Sequence, residues 1–186
     1  MNRYPKQVFL LAGLSESGKS YAGMFFDERG VKRLKYARLF AHNELNQDPK
    51  INPYQILEQT SMPEDDQIRL AIASLKEICE AEGIFFCSIE SMVKPSTTIK
   101  LREAMGPNVV RVIYFDVDEE TRLQRQMGRE NVDYETAQKI MLPRDRKKIQ
   151  FGTPEIKNIA DVIINNNGTK EELNQRLVEL IKEYCR

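Results

Sequence analysis

The stretch Gly13-Leu14-Ser15-Glu16-Ser17-Gly18-Lys19-Ser20 constrains this chain more than any other. It matches G-x-x-x-x-G-K-[ST] throughout, a pattern that works only between a strand and a helix. The glycines let the backbone curl until successive N–H groups point at phosphate oxygens. Lys19 brings a positive charge to the β- and γ-phosphates, and the Ser20 hydroxyl can ligate Mg²⁺. A helix starting near Gly18 adds its positive N-terminal end to the same spot. The flanks agree: Gln7 to Ala12 is a short apolar run of buried-strand type, and Tyr21 to Asp27 reads as helix with Gly30 placed to end it.

The rest of the chain extends this unit. With 186 residues, it suits one α/β domain, 1–186, and no linker divides it. Strands are expected at 33–37, 84–89, 109–115 and 160–164. Helices are expected from Leu39 to Lys50, Asp65 to Glu82, Pro95 to Met105, Thr121 to Gly128 (capped by Asp118), Asp133 to Lys148 and Lys170 to Tyr184. The segment around Pro49, Pro53 and Pro63 reads as a polar connection. Such alternation implies a parallel sheet covered by helices on both faces.

Charge and cysteines narrow the partners. Lys+Arg and Asp+Glu both number 28, so any basic surface is local, and a general nucleic-acid or membrane binder is not expected. No apolar run approaches the roughly 20 residues of a membrane-spanning helix. The segment Met1 to Lys6 enters the first strand at once, so no secretion signal is expected. Cys79, Cys87 and Cys185 lie far apart and read as free thiols of a reducing, cytoplasmic compartment. A single His42, read as an exposed helix residue, rules out a multi-histidine metal site.

A phosphate loop alone does not say what happens to the phosphate. In the second half, Arg122, Arg125 and Arg129 fall three and four apart, on one helix face, and Arg144-Asp145-Arg146-Lys147-Lys148 follows. Phosphoryl transfer spreads negative charge over the moving oxygens, which arginines on a mobile lid can stabilise. The alternative is a solvated face paired with Glu119, Glu120 and Glu130.

With these pieces in order, the sequence resembles the P-loop nucleotide kinases of the adenylate-kinase and dephospho-CoA-kinase-like group. The resemblance rests on Gly13 to Ser20, Thr121 to Arg129, Arg144-Asp145 with Phe151-Gly152, and Ile159 to Leu173, which reads A-D-x-x-I-x-N-x-G-T-x-E-E-L from Ala160. It covers most of the chain except about 40–81. It implies a three-layer α/β/α fold with a five-stranded parallel sheet in the order 2-3-1-4-5, a helical lid near 118–148 and an acceptor-binding helical insert near 39–82. It also implies ATP and Mg²⁺ bound from Gly13 to Tyr21, with Arg125 against the adenine and Arg129 on phosphate. Arg144 or Arg146 would close over the transferred group. The loop around Asn167 and Gly168 would lie beside the base, and Arg38 or Arg102 would hold a small nucleotide-like acceptor, a nucleoside monophosphate or dephospho-CoA.

One position departs from that pattern. These kinases carry an aspartate at the end of the third strand, which aligns here with Cys87. Glu90 is the nearest acid and is expected to supply the missing charge beside Ser20 and the metal. Asp116 ends an apolar run like a second metal-side acid, but its place on the fourth strand marks it as structural. The rival expectation is a nucleotide-binding regulator with little or no turnover, kept open by Cys87 and by the unmatched region from Phe40 to Ala81. No N-K-x-D guanine signature is present, so a GTPase is disfavoured.

Overall fold

A computed structural model describes residues 5–186. The expectation about the segment that opens the chain lies largely outside the described residues. Gln7–Ala12 forms β1, buried along its whole length. A strand with apolar side chains on both faces needs cover above and below, so it belongs in the middle of a sheet. It lies between β3 (Phe86–Met92) and β4 (Val110–Asp116), with β2 (Lys32–Lys35) and β5 (Val162–Asn165) at the edges. All pairings are parallel and the order is β2-β3-β1-β4-β5.

Side chains alternate between two cores. Val8, Leu10, Cys87, Ile89 and Val112 face one side. There they meet α5 (Glu64–Glu82) through Ile68, Ala71, Leu75 and Cys79, and α6 (Pro95–Met105) through Leu101. Phe9, Leu11, Ile113 and Phe115 face the other side. They are covered by α1 (Lys19–Asp27) through Ala22, Phe25 and Phe26, and by α9 (Lys170–Tyr184) through Leu173, Leu177 and Leu180. The α9 start is fixed by a reciprocal cap between Thr169 and Glu172.

Several boundaries differ from the sequence reading. The second strand stops at Lys35, and Tyr36 already opens α2 (Tyr36–Phe40). The single helix expected to follow is two pieces, α2 and α3 (His42–Gln47), separated at Ala41, and His42 is only partly exposed. The polar connection contains α4 (Pro53–Gln59), because Asn52 Oδ1 accepts from Tyr54 N at 3.1 Å and Pro53 suits a first turn. Between α7 (Glu119–Glu130) and α8 (Tyr134–Gln150) only three residues intervene, making a helical hairpin with its own small core of Leu123, Ala137 and Met141. Asp118 takes the N-cap position of α7 without a side-chain capping bond. A 3₁₀ segment, Thr153–Ile159, links α8 to β5.

The third strand runs on through polar residues to Met92. Its register against β1 is Leu10 with Ile89, then Ala12 with Met92, so β3 carries one extra residue there. Ser91 absorbs it with φ at 69°, a left-handed conformation that non-glycine residues rarely adopt.

Candidate functional site

The loop Gly13–Ser20 joins β1 to α1 at the carboxyl edge of the sheet. Gly18 has φ at 99°, and a methyl group there would collide with the Asn166 carboxamide. That carboxamide donates to Ser17 O at 2.9 Å, so Asn166, following β5, ties the loop from the side. Lys19 folds back over the loop, donating to Leu14 O and to Ser17 Oγ at 3.0 Å. Burial, and then the neighbouring Lys148 ammonium, pushes Lys19 down from 10.5 to about 7, against the pull of Asp145, Glu16 and Glu90.

Glu90 reaches the same loop from β3. It is 1% exposed, and its Oε2 accepts from Ser20 Oγ at 3.3 Å. Cys87 is not its stand-in. Three residues earlier on an alternating strand, it points to the opposite face, beside Val8 in the register and Cys79 in the core. The acid is therefore in place at the carboxyl edge, and Cys87 is a core residue. A hydroxyl and a carboxylate 3.3 Å apart are hard oxygen donors of the kind that hold Mg²⁺ together with substrate phosphates.

The hairpin α7–α8 supplies the cations. Arg125 donates to Glu16 O at 3.3 Å and to Asn166 O at 2.7 Å, and Arg129 pairs with the Glu16 carboxylate at 2.6 Å. Burial lowers Arg125 from its ordinary value. With Ser17 to Tyr21, Gly168 and Thr169, these arginines line a cleft of about 520 Å³. Arg122 turns inward instead and forms a buried ion pair with Asp145.

Asp145 and Lys148 were missed by the sequence reading. All three polar atoms of Ser15 are engaged by the hairpin: N donates to Asp145 Oδ1 at 2.8 Å, O accepts from Arg122 at 3.3 Å, and Oγ contacts Lys148 Nζ at 2.9 Å. Arg144 and Arg146, the expected closing residues, are exposed on α8. The signal was available: Ala137 and Met141 form an apolar row spaced by four, and the next place in that row is Asp145, with Lys148 beside it.

Other expected residues lie elsewhere. The Asn167 side chain accepts from Asp118 N at 2.9 Å and donates to Asn165, so it braces the loop while Asn166 and Gly168 line the cleft. Arg102 occupies the last turn of α6, toward the amino ends of the strands. It pairs with Asp161 and donates to Ile159 O at 3.2 Å, a structural clamp remote from the phosphate loop. Arg38 is exposed on α2. Asp116 pairs with Lys157 at 2.7 Å, a structural engagement.

No family model matches the chain. A UPF0200 protein of Pyrococcus furiosus is 21% identical over 180 residues, covering 94% of this chain and 95% of that protein. A dephospho-CoA kinase of Photobacterium profundum is 32% identical over 76 residues, which is 41% of this chain and 35% of that enzyme. Among solved structures, an uncharacterized protein from Eubacterium ventriosum has a TM-score of 0.62 at 14% identity, over 96% of this chain and 99% of the other. Shikimate kinase from Bacteroides thetaiotaomicron gives 0.54 at 16% identity, over 95% and 98%. The chain thus has the P-loop kinase fold, and it resembles P-loop kinases in sequence as well as in strand order.

Proposed function

We propose that this protein is an ATP-dependent phosphotransferase acting on a small nucleotide-like acceptor. The observation that carries the reading is a cleft lined by Lys19, Ser20, Arg125 and Arg129, with the buried Glu90 carboxylate behind Ser20. Lys19 leaves its loop contacts to neutralise the β- and γ-phosphates. Arg129 exchanges the Glu16 carboxylate for phosphate, and Arg125 covers the adenine beside Gly168. Ser20 and Glu90 would hold Mg²⁺, which would supply charge neutralisation at the phosphates. The α7–α8 hairpin serves as the lid, excluding water that would otherwise accept the phosphoryl group. The acceptor binds toward α2–α5, where Arg38 is available, and a nucleoside monophosphate or dephospho-CoA fits the reading.

The dephospho-CoA kinase match supports this reading, and so does the Glu90–Ser20 contact, which weighs against a silent regulator. No described helix is long and apolar enough to cross a membrane. Three free cysteines fit the cytoplasm as the working compartment. The test is ADP release from Mg-ATP with a panel of nucleoside monophosphates and dephospho-CoA. Acceptor-dependent ADP is expected. Tight ATP binding with no acceptor able to raise ADP release refutes the transferase.

A further inference from the structure

Glu90 is held in place from three sides by residues that no part of the reaction uses. On the β2 side, Arg33 makes a two-pronged contact: Nε to Oε1, and the outer nitrogen to Oε2 at 3.2 Å. Two parallel bonds fix the plane of a carboxylate as one bond cannot. Arg33 is itself anchored, its backbone N donating to Asp27 Oδ1 at 2.9 Å. On the helix side, Gly23 faces the carboxylate so closely that a methyl group would overlap Oε1. A glycine inside a helix is less favourable than alanine, so this gap is maintained at a cost. Along the strand, the extra residue at Ser91, with its left-handed backbone, turns β3 immediately after Glu90. Bulges next to functional sites re-aim side chains in this way.

The three features share one effect. Arg33, Ser88 and Glu90 lie on the α1 face of the sheet, and Arg33 and Ser88 are register partners. Ser88 is small and fully buried, which leaves the guanidinium room to pass over it. With Oε1 taken by Arg33 and backed by Gly23, Oε2 is the oxygen turned toward Ser20.

We propose that Arg33 is a positioning residue for the metal, acting through Glu90, and that the glycine at position 23 is required for the same purpose. This rests on the reading that Ser20 and Glu90 hold Mg²⁺. Arg33 touches neither nucleotide nor metal. It fixes which carboxylate oxygen faces Ser20, and so sets how strongly Mg²⁺ tightens nucleotide binding.

The test is nucleotide affinity by calorimetry, with excess Mg²⁺ and with EDTA, for the wild-type chain, Arg33→Met, Arg33→Lys and Gly23→Ala. Loss of an outer partner of a metal-ligating group typically costs about 10–100-fold in metal affinity. The affinity gain from Mg²⁺ is therefore expected to fall about tenfold or more in Arg33→Met and Gly23→Ala, with part of it restored in Arg33→Lys. A merely structural role would lower affinity in both conditions and leave the ratio alone. A wild-type ratio in Arg33→Met overturns the proposal, and so does a wild-type protein indifferent to Mg²⁺. If Arg33→Met does not fold, the ratios in Arg33→Lys and Gly23→Ala decide on the same terms. If Mg²⁺ acts as stated while no acceptor releases ADP, the transferase reading falls and the role of Arg33 stands.

Discussion

The Arg122–Asp145 pair offers the sharpest test of how the hairpin is joined to the phosphate loop. Both side chains are nearly sealed from solvent, at 4% and 5% exposure. Replacing Arg122 with Met leaves the Asp145 carboxylate buried beside Ser15 N and Lys148, without its guanidinium. Breaking one side of a buried pair costs about 3–5 kcal/mol. For a chain of this length each kcal/mol moves the melting temperature by roughly 2–4 °C, so a drop of about 6–20 °C is expected. The double variant Arg122→Met/Asp145→Leu removes both charges. What remains is the unpaired Ser15 amide, at about 1–3 kcal/mol. The double variant should therefore be no less stable than Arg122→Met alone, which is strongly non-additive. Urea denaturation of the four proteins in the cycle measures this. An Arg122→Met cost under about 1 kcal/mol, or a double variant equal to the sum of the singles, refutes the argument.

Three further outcomes are expected. Glu90→Gln keeps the side-chain shape but removes the negative charge and turns one acceptor oxygen into a donor, so turnover in the ADP assay should fall about 100-fold or more, while near-normal turnover removes Glu90 from the chemistry. In the free protein Lys19 sits near 7, and a bound phosphate restores its proton. ADP affinity should then be flat in Lys19 below that pH and fall roughly tenfold per unit above it, with proton uptake visible in buffers of different ionisation enthalpy, and Lys19→Arg should flatten the profile. Glu16→Gln releases Arg129 from its pair, so nucleotide binding should tighten by a few-fold, about 1 kcal/mol, and weaker binding would mean that Glu16 organises the loop instead.

The sequence reveals what backbone geometry dictates. The phosphate loop is legible because a curled backbone admits few residues, and the central strands because a doubly covered strand must be apolar throughout. The helices α6 and α9 are legible to their ends through Pro95 at a first turn and the Thr169–Glu172 cap. What escapes is the choice among adjacent polar residues. Glu90 and Ser91 lie beyond the strand expected at 84–89, yet β3 runs through the bulge to Met92, three residues further. Arg144 and Lys148 are both cations on α8, and the apolar row of Ala137 and Met141 is the one sequence cue that sets Lys148, on the side packed against Ser15, apart from Arg144. Asn166 and Asn167 differ by one position in a run of asparagines, and the turn after β5 sends the first to the phosphate loop and the second to Asp118. Arg102 looks like an acceptor ligand until α6 is seen to carry it toward the far edge of the sheet.

The two edge strands of the sheet are unlike each other. Three of the four residues of β2 are basic, Lys32, Arg33 and Lys35, whereas β5 reads Val162-Ile163-Ile164-Asn165 with Ile163 about half exposed. An open edge is a template for another chain, and lysine or arginine along it is a common deterrent. On β2 two flanking lysines guard the edge, leaving Arg33 to its carboxylate. β5 itself carries no lysine or arginine, and the charges beside its exposed isoleucine, Glu172 and Arg176, come from α9. Arg33 and Glu90 thus sit beside the protected margin of the sheet, whereas Asn166, Gly168 and Thr169, which line the cleft, follow the strand with the exposed isoleucine.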